Sequence, residues 1–307
     1  MHAESRPLSP TGTLTVGCER GHRFDVNKRG YISLLPPSSR VIGDSQAMLD
    51  ARNAFFATGS YVPIADAVTA ACIAATGSVE MARPTTPAAQ SPSGARVRLA
   101  EVGCGTGYYL STAVSGLGGT GIDVEPIAAD LSPFGVRMSV RAVPGSAGVV
   151  LDVWQPLPFL DDTVDGILSV FAPRNLPEFA RILRPGGFLV AVVPTTRHLQ
   201  EIRADGLALD IPDGKPDALT EAASSWFTEE ARSVVEFGMI LTNEDLDNLI
   251  GMGPSAHHRA HSGPAQPDGP SASPDAEAAA DGRDANGTDA GRRVTASVTV
   301  LTYRLVA

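Results

Sequence analysis

The chain has 307 residues, room for one large domain and a small appendage, and its 43% hydrophobic content is enough for an ordinary globular core. Its 34 acidic residues outnumber 24 basic ones, a net charge of −10, which excludes a protein that coats nucleic acid with its whole surface. Three cysteines (Cys18, Cys72 and Cys104) exclude a disulfide framework. No apolar run reaches the roughly 18 residues of a membrane span, and residues 1–17 lack a basic-then-apolar leader, so a cytoplasmic protein without membrane contact is expected. The charge is uneven: residues 1–60 carry seven Lys/Arg against five Asp/Glu, which makes the N-terminal segment the part suited to a polyanion.

Residues 13–35 read as short extended pieces around Cys18 and His22, with turns at Gly21 and Gly30, and Pro36-Pro37 ends the unit. Asp44 is placed to cap a helix through Met48, Leu49, Arg52 and Phe55-Phe56, which Gly59 stops. A second helix is predicted from Pro63 to Ala75, with Ile64, Ala67, Val68, Ala71 and Cys72 on one face. Residues 77–95 are rich in Pro, Ala, Ser and Thr and read as a linker.

From Val97 strands and helices alternate, the pattern of a doubly wound α/β domain. Strands are predicted at Val97–Val102, Gly119–Val124, Val164–Phe171, Phe188–Val193 and Ser233–Leu241, with helices at Tyr108–Leu117, Leu176–Leu183 and Asn243–Met252. Val136–Val143 fits either a third strand or the helix before it. Residues 254–293 lack aromatic and nearly all aliphatic side chains, the composition of a disordered insertion, and the alternation from Val294 to Val306 returns the chain to a last strand.

The segment Glu101-Val102-Gly103-Cys104-Gly105-Thr106-Gly107 lies between an apolar strand and an amphipathic helix, where glycine lets backbone approach a ligand closely. An acid before the first glycine suits a cationic ligand better than a pyrophosphate. Asp123, read as the tip of the second strand, is placed for ribose hydroxyls, and Asp152-Val153-Trp154 for the edge and face of adenine. This constellation resembles the S-adenosylmethionine site of class I methyltransferases, and Leu183-Arg184-Pro185-Gly186-Gly187-Phe188-Leu189 resembles the turn before strand five of that Rossmann-like fold.

A narrower resemblance spans nearly the whole chain. Cys18-Glu19-Arg20-Gly21-His22, Gly30-Tyr31-Ile32-Ser33-Leu34-Leu35, Gly59-Ser60-Tyr61-Val62-Pro63, Phe171-Ala172-Pro173-Arg174-Asn175 and Arg197-His198-Leu199-Gln200-Glu201 resemble the 23S ribosomal RNA guanine-N1 methyltransferases of the RlmA type. That resemblance implies methylation of N-1 of a guanine in a 23S rRNA hairpin, macrolide resistance in one branch, and cofactor contacts at Tyr61 and His198. It also implies an N-terminal zinc finger of the form C-x2-C-x12-C-x3-H. Cys18 and His22 match its second pair, but the first falls on His2 and Ser5, and serine is a poor zinc ligand, so the zinc is in doubt.

The resulting division is a zinc-finger-like RNA-recognition module at 1–37, a helical connector and linker at 38–95, and a methyltransferase domain at 96–307. Phe171 and Pro173 are candidates to shape the target-base pocket and Asn175 to read the base edge, while no general base is evident. The acidic balance leaves open a small-molecule methyltransferase of a biosynthetic pathway, and a cofactor-binding protein without transfer activity is the third reading; a homodimer stays open as the assembly.

Overall fold

The computed structural model describes residues 7–36, 39–82, 96–253 and 291–306. Strands β1 (Ser9–Gly12), β2 (Thr15–Gly17) and β3 (Arg23–Asp25) form a small antiparallel sheet. Strand β4 (Tyr31–Ser33) leaves it and pairs in parallel with β7 (Ala147–Val150), Ile32 opposite Val149. The expected 1–37 module is therefore divided: its last strand is the edge of the large sheet, which fastens the small one to the catalytic domain.

Helix α1 (Gln46–Ala57) begins one residue later than its expected cap: Ser45 Oγ accepts the N–H of Met48 at 3.3 Å. Asp44 instead pairs with Arg52 at 2.7 Å. Helix α2 (Val62–Ala82) runs through the start of the expected linker, because Gly77 alone disfavours a helix between Thr76 and Ala82 and does not break it. The rest of that linker and nearly all of the 254–293 insertion lie outside the described residues.

The large sheet has the order β10-β11-β9-β8-β5-β6-β7-β4. Strands β5 (Arg96–Val102), β6 (Asp123–Asp130), β7, β8 (Val164–Val170) and β9 (Leu183–Pro194) are parallel, and β11 (Arg292–Leu305) and β10 (Phe227–Leu241) close the far edge antiparallel. Helices α1, α2, α3 (Tyr108–Gly119), α4 (Pro133–Ala142) and α8 (Asn243–Gly251) contribute to the core on one face, around Leu99, Leu110, Ala128 and Val190. Helices α5 (Leu176–Ile182) and α7 (Lys215–Ala223) cover the other, around Ile167, Phe179 and Leu189. A short α6 (Gln200–Ala204) follows β9. This is the doubly wound class I methyltransferase arrangement. Strand order reverses where β5 lies between β6 and β8, so their carboxyl ends open a crevice for a ligand.

One open reading is settled as helix and one predicted strand moves. Val136–Val143 is helix, started by the Ser132 cap and Pro133, and the third strand follows it as β7. The second strand starts where its prediction nearly ended: β6 is Asp123–Asp130, and α3 extends to Gly119. Among the described residues no single helix is long and apolar enough to cross a membrane.

Candidate cofactor and acceptor site

A cleft of about 880 Å³ opens at the carboxyl ends of β5 to β9, within the usual size range of small-ligand sites. The glycine turn forms its floor. Gly103 has φ 85°, and a Cβ there would stand 2.4 Å from Cβ of Ala172, so its bare backbone lets the loop after β8 lie against the turn. Gly105 has φ 48°, and its Cβ would face the guanidinium of Arg52 at 2.9 Å. Gly107 stands outside the cleft lining and packs on Ser139 of α4. Thr106 lines the floor and is almost fully buried. Glu101 is 1% exposed, lines the cleft, and accepts the N–H of Leu110 at 3.1 Å; burial raises its pKa well above the carboxylate range.

The acid at the tip of the second strand is Asp130, not Asp123. Asp123 opens β6, opposite Arg96, and pairs with that arginine at 2.9 Å at the end of the sheet remote from the glycine turn. The two acids are the first and last residues of the eight-residue strand and so lie at opposite ends of the sheet. Asp130 accepts the N–H groups of Gly105 and Ser132, each at 2.8 Å, and its carboxyl, lifted by burial, lines the cleft. The missed signal is the buried run Ile127-Ala128-Ala129 followed by Asp130 and the helix start Ser132-Pro133. Asp152, after β7, lines the cleft and accepts the N–H of Trp154 at 3.0 Å; Trp154, 63% exposed, stands at the rim.

Across the turn, Tyr61 and His198 meet, although 137 residues separate them in sequence. Tyr61 Oη and His198 Nε2 are 3.3 Å apart, and both residues are buried. Phe171, held at φ 52°, lays its ring on His198 with centroids 5.7 Å apart and planes 25° apart. Pro173 lines the cleft beside it. Asn175 does not: its amide donates to the carbonyl of Val153 at 2.9 Å and ties two loops together, so it is turned away from the proposed base edge.

The cavity fits the sulfonium cofactor. Glycine backbone forms part of its floor, the carboxyl groups of Glu101 and Asp130 stand beside it, and Tyr109 places in its wall a buried hydroxyl with no partner among the described residues.

Residues 100–191 match the profile of a methyltransferase domain. A Streptomyces fradiae relative named 23S rRNA (guanine(748)-N(1))-methyltransferase is 33% identical over 246 residues, 80% of this chain and 81% of that one. The chain belongs to the 23S rRNA (guanine-N1)-methyltransferase family. A Micromonospora griseorubida member, named as a candidate enzyme of the same activity, is 36% identical, covering 78% of this chain and 79% of its own. Among solved structures, loganic acid methyltransferase with S-adenosylhomocysteine aligns over 86% of this chain and 98% of that one with a TM-score of 0.55; at 10% identity this is a likeness of fold. This family member is an S-adenosylmethionine-dependent methyltransferase.

In the N-terminal sheet, Cys18 Sγ and His22 Nδ1 lie 3.4 Å apart, brought together by the turn at Gly21. His2 and Ser5, the expected first pair, lie outside the described residues, and among the described ones no three His, Cys, Asp or Glu gather as a metal site. Arg23 donates from Nη1 to the carbonyls of Cys18 (3.1 Å) and His22 (2.9 Å) and braces this turn.

Proposed function

We propose that the chain methylates N-1 of a guanine in a 23S rRNA hairpin. The observation that carries this is the match to the Streptomyces fradiae and Micromonospora griseorubida relatives, at 33% and 36% identity over about four-fifths of this chain. The cofactor supplies an electrophilic methyl group on a sulfonium sulfur. In this reading Asp130 holds the ribose hydroxyls, Asp152 the adenine edge, and the turn from Glu101 to Gly105 the methionine part. Tyr61, Phe171 and His198 wall the side where the acceptor enters, and Phe171, 41% exposed, offers its ring to a flipped base. The chain's own contribution is then orientation and exclusion of water around two reacting atoms.

The small N-terminal sheet, with Lys28 and Arg29 exposed on the turn before β4, is the RNA-facing part in this proposal. Mapping N1-methylguanine by reverse-transcription stops on 23S rRNA, from cells with and without the protein, tests the assignment. One new stop in a hairpin loop is the expected result; identical patterns would remove the rRNA reading. Changed macrolide susceptibility of the same cells, which the family resemblance implies, is the cellular readout.

A further inference from the structure

The loop after β8 carries a cation without a counter-charge. Arg174 sits at the carboxyl ends of β8 and β9, where its Nη2 donates to the carbonyls of Ser169 (3.2 Å) and Val192 (2.8 Å). Its Nε is buried with no hydrogen-bond partner. Among the described residues no carboxylate pairs with it: the titratable groups whose charge bears on it are the phenol of Tyr303 on β11 and the ammonium of Lys215 at the start of α7, and Lys215 lines the same cleft. The acids before and on α7 and at the start of β10 lie against other arginines. Asp210 lies 3.8 Å from Arg203, and Asp217 and Glu229 both pair with Arg232. A buried guanidinium facing a second cation is costly unless an anion joins them. Burial lowers Arg174 to about 10, so it remains charged at neutral pH.

Both cations line the cleft. Their position says which side of it they serve. Ala172 packs on Gly103, so the Phe171–Arg174 loop borders the glycine turn on the β8 side, while Asp130 and Asp152 lie on the β6 and β7 side. A cofactor stretched over Asp152, Asp130 and the turn leaves Arg174 and Lys215 facing the acceptor.

Guanine keeps a proton on N-1 at neutral pH, and N-1 becomes a nucleophile as that proton leaves and negative charge spreads onto O6. We propose that Arg174, with Lys215 beside it, receives this charge and so makes N-1 of the bound guanine more acidic. The inference rests on the guanine-N1 reading above. In the step, the N-1 proton passes to water in the cleft. The N-1 electron pair forms the bond to the methyl carbon, and the carbon–sulfur pair stays on sulfur. The negative base and the positive sulfonium are both neutralised. The two cations are left facing a neutral base, which favours its release.

The test is single-turnover methylation of a 23S hairpin containing the guanine specified by the Streptomyces fradiae relative, followed from neutral to alkaline pH. In R174Q the neutral-pH rate should fall about 100-fold, the size of effect seen when one oxyanion donor is removed, and recover as the pH rises. The apparent pKa of the profile should move up; R174K should restore most of the rate, and K215Q should give a smaller shift in the same direction. Calorimetric affinity for S-adenosylhomocysteine should not change in any variant. An R174Q rate lowered by one factor at every pH, or a parallel loss of S-adenosylhomocysteine affinity, would overturn the assignment, the latter making the amino-acid carboxylate the anion. A wild type that methylates no 23S hairpin would instead remove the rRNA reading itself. If R174Q fails to fold, K215Q decides, since that side chain sits at an exposed helix start.

Discussion

The backbone N–H of Ser297 points at Nδ1 of His198 from 3.2 Å and thereby fixes which ring nitrogen carries the proton. An N–H donates, so Nδ1 accepts, and the neutral ring bears its proton on Nε2, facing Tyr61 Oη. The phenol of Tyr61 accepts that hydrogen bond and keeps its own proton. Burial, with Arg203 and Lys215 adding to it, lowers the imidazole to about 4, so His198 is neutral at physiological pH and holds Tyr61 Oη through Nε2.

A pH dependence of stability follows. The folded-state value is about 4 and the ordinary value 6.5, so between them the unfolded chain binds more protons. This contribution is complete above the ordinary value and is lost as pH falls toward 4, by an amount of roughly 1–3 kcal/mol. Urea melts across that window should show the wild type losing stability faster than His198→Gln. Parallel curves for the two proteins would contradict the assigned tautomer and its burial.

The two candidate ribose acids separate in one calorimetric comparison. Asp130→Ala should weaken S-adenosylmethionine binding by roughly 1–3 kcal/mol, since it removes a charged acceptor and frees the N–H groups of Gly105 and Ser132. Asp123→Ala should leave the affinity unchanged and cost no more than about 1 kcal/mol of stability, because its partner is an exposed arginine. Equal losses of affinity in both would return Asp123 to the site.

Why the sequence pointed to the wrong acid is a matter of pattern. Gly119 to Val124 offers glycines, one isoleucine and an acid in the order a short strand and its tip would show. The real strand carries Pro126 in its middle and small alanines near its end, which weakens the strand signal. Strands β5, β8 and β9 were legible because buried aliphatic residues dominate the centre or end of each. Tyr61 and His198 came only through the family resemblance, since their contact joins positions 137 residues apart. Arg174 was quoted within that resemblance yet gave no sign of its role: an arginine's missing counter-charge is a property of the fold.

The glycine turn makes a graded prediction. Gly103→Ala sets a methyl group against Ala172 in a backbone region that favours glycine, and should destabilise the protein by roughly 1–3 kcal/mol while displacing the acceptor loop. Gly105→Ala meets only the movable end of Arg52 and should be milder in thermal melts, with its larger effect on cofactor affinity. A Gly105→Ala protein that melts below Gly103→Ala would mean that the turn, and not the loop against it, sets the tolerance.

The last prediction concerns the N-terminal sheet. Its basic residues divide by what they touch. Arg23 is committed to the carbonyls of Cys18 and His22, and its removal should loosen that turn. Lys28 and Arg29 stand exposed between β3 and β4, where phosphates can reach them without disturbing a core. Replacing Lys28 and Arg29 together with Ala should lower affinity for a 23S hairpin and reduce the slope of log affinity against log salt by roughly 1.5, as two phosphate contacts release fewer counterions. S-adenosylmethionine affinity and melting temperature should hold, because the glycine turn lies on the far side of β6 and β7 from β4. Filter binding at several salt concentrations measures the slope. If it is unaltered while methylation proceeds normally, the RNA is gripped elsewhere, and the small sheet serves only to brace the edge of the large one through β4.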